Sequence, residues 1–213
     1  MAETKIISPK EIEKRSFEII SERLKGDIYG DLRDDILKRV IHTSADFDYR
    51  ENLCFSPGAA DIGLEAIKKG AIIVTDTQMA YSGINKRTLE KFGGRAVCFM
   101  SDEDVAAEAK ERGVTRAIVS MERACSIEGR VIFAIGNAPT ALIAIDELIK
   151  KGAIRPELII GVPVGFVNVV ESKELILRGE TPCIVARGNK GGSNIAAAIC
   201  NAFIYRARDE EGL

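Results

Sequence analysis

One histidine stands in this chain of 213 residues, His42, within the run Arg39-Val40-Ile41-His42-Thr43-Ser44. Imidazole is the side chain whose unperturbed pKa, about 6.5, lies near neutral pH, so proton transfer through a histidine has a single candidate here. Leu32, Ile36, Leu37, Val40 and Ile41 form one apolar stripe at helical spacing. Arg39 and His42, three apart, fall together on the opposite side. From position alone, a surface histidine near a helix C-terminus is the commoner situation, because the macrodipole favours it there.

A second chemistry is suggested by Arg187-Gly188-Asn189-Lys190-Gly191-Gly192-Ser193-Asn194, which joins a strand-like run to a helix-like one. Free N–H groups at such a junction attract anions. The lysine spacing does not match a P-loop, and no acidic metal-binding partner accompanies it. Phosphate binding, a plain glycine-rich cap and a carboxylate site all remain open on the residues. The five cysteines, at 54, 98, 125, 183 and 200, include no Cys-x-x-Cys pair and have no basic partner nearby in sequence. Reduced, mostly buried thiols are expected, and neither a structural zinc site nor a thiol nucleophile is favoured. Gly-x-Ser-x-Gly, His-Glu-x-x-His and Gly-x-Gly-x-x-Gly signatures are absent.

The elements that must carry these residues announce themselves by punctuation. Helices ending at Lys68-Lys69-Gly70, Glu111-Arg112-Gly113 and Lys150-Lys151-Gly152 place basic residues in the last turn and glycine at the left-handed C′ position. Strand-like runs follow each, at Ala71–Asp76, Thr115–Ser120 and Leu158–Val162, with further runs at Arg95–Met100, Val131–Ile135 and Pro182–Ala186. About six strands are therefore expected between residues 71 and 187, in a parallel sheet covered on both faces. Ser101 with Asp104 reads as a capping box, and Ser56-Pro57 as a helix start with proline at its first position. Residues 9–50 read instead as two charged amphipathic helices, Pro9–Lys25 and Asp31–Ile41. A helical N-terminal segment, 1–56, is thus expected to pack on an α/β core, 57–213, as one structural unit.

Composition narrows the partners. With 46% hydrophobic residues, 29% charged and a net charge of −2, the chain has no basic footprint for nucleic acid and no apolar stretch that would span a bilayer. Met1-Ala2-Glu3-Thr4-Lys5 lacks a signal-peptide layout, which makes the cytoplasm the default location. In parallel sheets ligands bind beyond the carboxyl ends of the strands. That rule selects the loops Asp76–Ala80, Gly136–Thr140, Gly161–Phe166 and Arg187–Asn194, with N–H-rich turns at Gly136 and Gly188 for acidic groups. Met79, Val164 and Phe166 are large apolar residues in these loops, and each alone is more often core than contact.

Five segments taken in order resemble the precorrin-8X/cobalt-precorrin-8 methylmutases of cobalamin biosynthesis. They are Arg39–His42, Val74–Met79, Gly136–Leu142, Gly161–Val167 and Gly188–Ser193, within a similarity running from about Pro9 to Arg206. The resemblance implies a flavodoxin-like, three-layer α/β/α fold with a mostly parallel sheet of about five to six strands and an N-terminal helical appendage. It implies a homodimeric isomerase that moves a methyl group on a corrin ring, with or without cobalt, and needs no cofactor and no protein-bound metal. It assigns His42 as the proton handler and Arg39, Ser16 and Arg116 as substrate contacts. Together with the strand-end loops it nominates Thr77, Met79, Gly136, Asn137, Pro139, Thr140, Gly165, Phe166, Gly188, Asn189, Lys190 and Gly191 as substrate-binding. The partners implied are a tetrapyrrole substrate, a second copy of the chain and the next enzyme of the pathway. The alternatives are a corrinoid carrier that binds without converting, and a nucleotide-binding protein acting through Gly188–Asn194.

Overall fold

The structure is a computed structural model that describes residues 8–213; the expectation about Met1–Lys5 lies outside them. The first helix, α1 (Pro9–Leu24), opens with a capping box in which the Ser8 hydroxyl accepts from the Glu11 N–H and the Glu11 carboxylate accepts from the Ser8 N–H. Asp31 caps α2 (Leu32–Ser44). The chain continues through α3 (Tyr49–Asn52), β1 (Leu53–Phe55), α4 (Ala59–Lys68), β2 (Ile72–Thr75), α5 (Gln78–Gly83), α6 (Lys86–Glu90) and β3 (Arg95–Val97). A 3₁₀ turn at Phe99–Ser101 leads into α7 (Glu103–Arg112) and α8 (Arg116–Arg123). Another, Ala124–Ser126, precedes β4 (Val131–Ile135), α9 (Pro139–Lys150), β5 (Leu158–Gly161), α10 (Val169–Leu177), β6 (Cys183–Ala186) and α11 (Ser193–Glu211).

The six strands form one sheet in the order β1-β6-β5-β4-β2-β3. All pairs are parallel except β1 against β6. With β2 counted as the first parallel strand, the order becomes 2-1-3-4-5, the flavodoxin-like arrangement, and the chain reverses direction across the sheet between β2 and β4. Every residue of β2, β4, β5 and β6 is buried. Alternate strand residues divide the interior in two. Ile73, Ile132, Ile160 and Ile184 join α1, α2, α4 and α11 on one face, while Val74, Phe133, Ile159 and Val185 join α8, α9 and α10 on the other.

Some local expectations are corrected. Thr115–Ser120 is not a strand. Thr115 caps α8 by accepting from the Ile118 N–H, and Ala117, Ser120, Met121 and Ala124 are buried at the three-and-four spacing of a helix. The β-branched pair Ile118-Val119 gives the same stretch its strand-like look. Five strands therefore lie between residues 71 and 187. The sixth is β1, inside the segment read as wholly helical, held by antiparallel pairing with β6. Ser101 does not cap α7, whose first turn follows Asp102, because residues 99–101 are wound into the 3₁₀ turn. Pro57 lies before α4, which starts at Ala59 after Gly58 in the left-handed region. The Arg95–Met100 run stops as a strand at Val97. The three C′ glycines, Gly70, Gly113 and Gly152, all take left-handed backbone.

Candidate active site

His42 lies in the last turn of α2 with its side chain exposed, and its imidazole stacks on the Phe17 ring of α1, centroids 5.3 Å apart and planes 27° apart. Arg39, one turn earlier, places its guanidinium carbon 5.2 Å from the centre of the same ring and 4.6 Å from that of Tyr205 in α11. Its Nη1 also meets Glu13 Oε1 at 3.2 Å. Ser16, half-buried, precedes Phe17 on α1. Two neighbouring helices, α1 and α11, thus fix the orientation of the two α2 side chains through aromatic faces. Phe17 and Tyr205 were not singled out in the sequence, where nothing marks a half-buried aromatic as the platform of a residue more than twenty positions away. Phe17, Arg39 and Tyr205 also line a cavity of about 910 Å³ between α1, α2 and α11, where Arg206 of α11 pairs with Asp35 of α2 and with Glu210 of its own helix.

The other nominated residues gather at the carboxyl edge of the sheet. At the turn between β4 and α9, the N–H groups of Gly136, Asn137 and Ala138 donate to the carboxylate of buried Asp76, at 2.8, 2.8 and 2.6 Å. Burial pushes the Asp76 carboxyl up, against the pull of those three N–H groups. The expectation that this turn receives a ligand's acidic group is corrected, because the chain's own carboxylate already occupies it. A Cβ at Gly136 would come within 2.6 Å of Ser193 Cα, so only glycine lets the start of α11 come this close. Thr77 caps α5, accepting from the Ala80 N–H, and its hydroxyl meets that of Ser193 at 2.7 Å. Pro139 occupies the first turn of α9, and the Thr140 hydroxyl meets that of Thr115 at 3.0 Å. Arg116, exposed and next in sequence to Thr115, therefore stands beside this turn, and it forms no ion pair among the described residues.

The Gly188 loop is built differently. Asn189 joins the loop after β5 by accepting from the Gly165 N–H (3.1 Å) and donating its amide to the Gly165 carbonyl (2.6 Å). Lys190 Nζ reaches Asp46 Oδ2 and Asp48 Oδ2, 2.6 Å each, in the turn that follows α2. That pair ties the glycine loop to the end of α2 that carries His42, raising the lysine's proton affinity and lowering that of Asp46. Met79 is 70% exposed, Val164 47% and Phe166 90%, so all three are surface rather than core. Burial raises all five thiols, Cys200 to about 12, which leaves none poised as a thiolate. Among the described residues no group of three or more His, Cys, Asp or Glu gathers as a metal cage, and no helix is long and apolar enough to cross a membrane.

Residues 11–206 match the family described as CbiC, precorrin-8X methylmutase. The cobalt-precorrin-8 methylmutase of Priestia megaterium is 45% identical over 92% of this chain and 88% of its own. The precorrin-8X methylmutase of Pseudomonas aeruginosa is 43% identical, covering 78% of this chain and 80% of its own. The crystal structure of the precorrin-8X methylmutase from Thermus thermophilus superposes with a TM-score of 0.85 at 38% identity, over 93% of this chain and 98% of that one. A family match over nearly the whole chain, agreeing in sequence and in fold, places this protein in the precorrin-8X methylmutase family.

Proposed function

We propose that the protein moves a methyl group from ring carbon eleven to ring carbon twelve of precorrin-8X or its cobalt form, with His42 as proton donor and acceptor. The chain is by family an isomerase of cobalamin biosynthesis. In the reaction one carbon–carbon bond breaks and one forms within the macrocycle, every atom is retained and no electrons leave. The product is hydrogenobyrinate, or cobyrinate when cobalt is present. Such a shift needs the correct tautomer of a conjugated ring. An imidazolium can protonate the ring where electron density accumulates and recover the proton once the methyl group has moved.

The setting of His42 carries this reading: an exposed imidazole, stacked flat on Phe17, at a helix end latched to the glycine loop through Lys190. Arg39 beside it suits a peripheral carboxylate of the substrate. Met79 and Phe166 offer apolar surface for the face of the macrocycle. Ser16, Thr77, Arg116, Asn137, Pro139, Thr140 and Gly165 complete the substrate-binding set in this reading. The working species is a cytoplasmic homodimer that passes its product to the next enzyme of the pathway, and light scattering on the purified protein tests the dimer.

Incubation with precorrin-8X is expected to change the absorption spectrum without changing mass, and NMR of the product locates the methyl group. His42→Ala should abolish turnover while the variant stays folded and still binds product. Full activity in that variant overturns the role of His42, and recovery of unchanged substrate from the wild type overturns the enzyme reading in favour of a carrier.

A further inference from the structure

Lys173 of α10 belongs to none of the sites described above, yet its side chain is completely buried. Its Nζ donates to the carbonyl of Gly188 at 2.7 Å and to that of Lys190 at 2.8 Å. Among the described residues no carboxylate pairs with it, and burial alone acts on the ammonium, pulling it down to about 8. A buried ammonium without a counter-charge is costly to keep, and an apolar side chain of similar length would fill the same space more cheaply. Its two bonds show what it provides, since both end on the glycine loop.

With those carbonyls held inward, the N–H groups of Gly188, Asn189, Lys190 and Gly191 donate to no acceptor among the described residues. The loop is also braced from other sides. The Gly192 N–H donates to the Val162 carbonyl at 2.8 Å, and a Cβ on Gly191 would collide with that same carbonyl. A run of unpaired N–H groups with a cation behind it carries positive potential toward an anion.

We propose that Lys173 is a positioning residue for the substrate: it holds the carbonyls of Gly188 and Lys190 inward, so that the N–H groups of residues 188–191, backed by its charge, receive a peripheral carboxylate of the macrocycle. The inference rests on the reading of the chain as a methylmutase acting on a polycarboxylate corrinoid. Lys173 touches no substrate atom and acts through the loop alone.

The test compares wild type with Lys173→Gln, whose amide can still donate to the two carbonyls but carries no charge. Steady-state kinetics with precorrin-8X are combined with titration by hydrogenobyrinate and by the same macrocycle with its peripheral carboxylates converted to amides. The variant should show KM and product Kd raised about tenfold, the worth of one charge-assisted contact, with kcat little changed. The amidated ligand should bind both proteins alike. Unchanged affinity of the folded variant for hydrogenobyrinate, or an equal loss for both ligands, overturns the proposal.

Hydrogen exchange on the wild type makes the test independent of whether the variant folds. Bound hydrogenobyrinate should protect the amides of residues 188–191, and unchanged exchange there with product bound also overturns it. A wild type that leaves precorrin-8X unconverted overturns the functional reading itself. Normal turnover beside a Lys173→Gln that binds product equally well overturns this inference alone.

Discussion

Two turns at the carboxyl edge of the sheet present runs of backbone N–H groups, and the chain treats them in opposite ways. At residues 136–138 all three N–H groups end on the buried carboxylate of Asp76. At residues 188–191 the N–H groups find no acceptor among the described residues, and a buried cation, Lys173, holds two of the carbonyls instead. The turns are neighbours, since Gly136 packs directly against the Gly192-Ser193 backbone where α11 begins. The difference teaches that a glycine-rich strand-to-helix junction is not in itself an anion site. An internal anion makes it a structural joint, and an internal cation leaves it available to a ligand.

The sharpest way to break this contrast is to remove the internal anion. Asp76→Ala leaves three inward-facing N–H groups unpartnered, and should cost about 3 kcal/mol of stability in urea unfolding. A loss below about 1 kcal/mol would mean that water or a ligand replaces the carboxylate easily, and that the two turns are alike.

The cation can be weakened without a mutation. Lys173 titrates at about 8 in the folded protein, against 10.5 for a free lysine. Between those values the unfolded chain holds the proton that the folded one has released, so this residue makes stability rise with pH from about 8 to 10.5 and adds nothing below 8. The neutral amine still has two N–H groups for its two carbonyls, so the loop keeps its shape while losing the charge behind it. KM for the substrate should therefore rise as pH passes about 8 while stability improves. A KM that is flat over this range would separate the loop from the charge beneath it.

The smallest expected effect is at the rim. Lys190 pairs with Asp46 and Asp48 in exposed positions. Lys190→Ala should change stability by under about 1 kcal/mol, as exposed pairs do. A larger loss would show that the latch between α2 and the glycine loop helps hold the fold together rather than merely trimming its rim.

Much of this protein was legible before its fold. The C′ glycines, the two amphipathic N-terminal helices and the strands β2, β4, β5 and β6 follow from local rules of period and capping. So does the shared face of Arg39 and His42, three residues apart on one helix. Thr115–Ser120 carries both the β-branched pair Ile118-Val119 and a short helical period, and packing of α8 on α9 decides between them. Strand β1 has three residues and little pattern of its own, and its pairing with β6 makes it a strand.

At the site, the sequence by itself determined which residues lie on the end of α2 and in the strand-end loops, because helix phase and strand ends are set within a few residues of chain. Tertiary structure alone decided what those groups are free to do. Asp76 and Gly136 are 60 positions apart, and Phe17 meets His42 from a different helix. A hydrogen-bond donor is spent or available only once distant chain has packed against it, which no local pattern records.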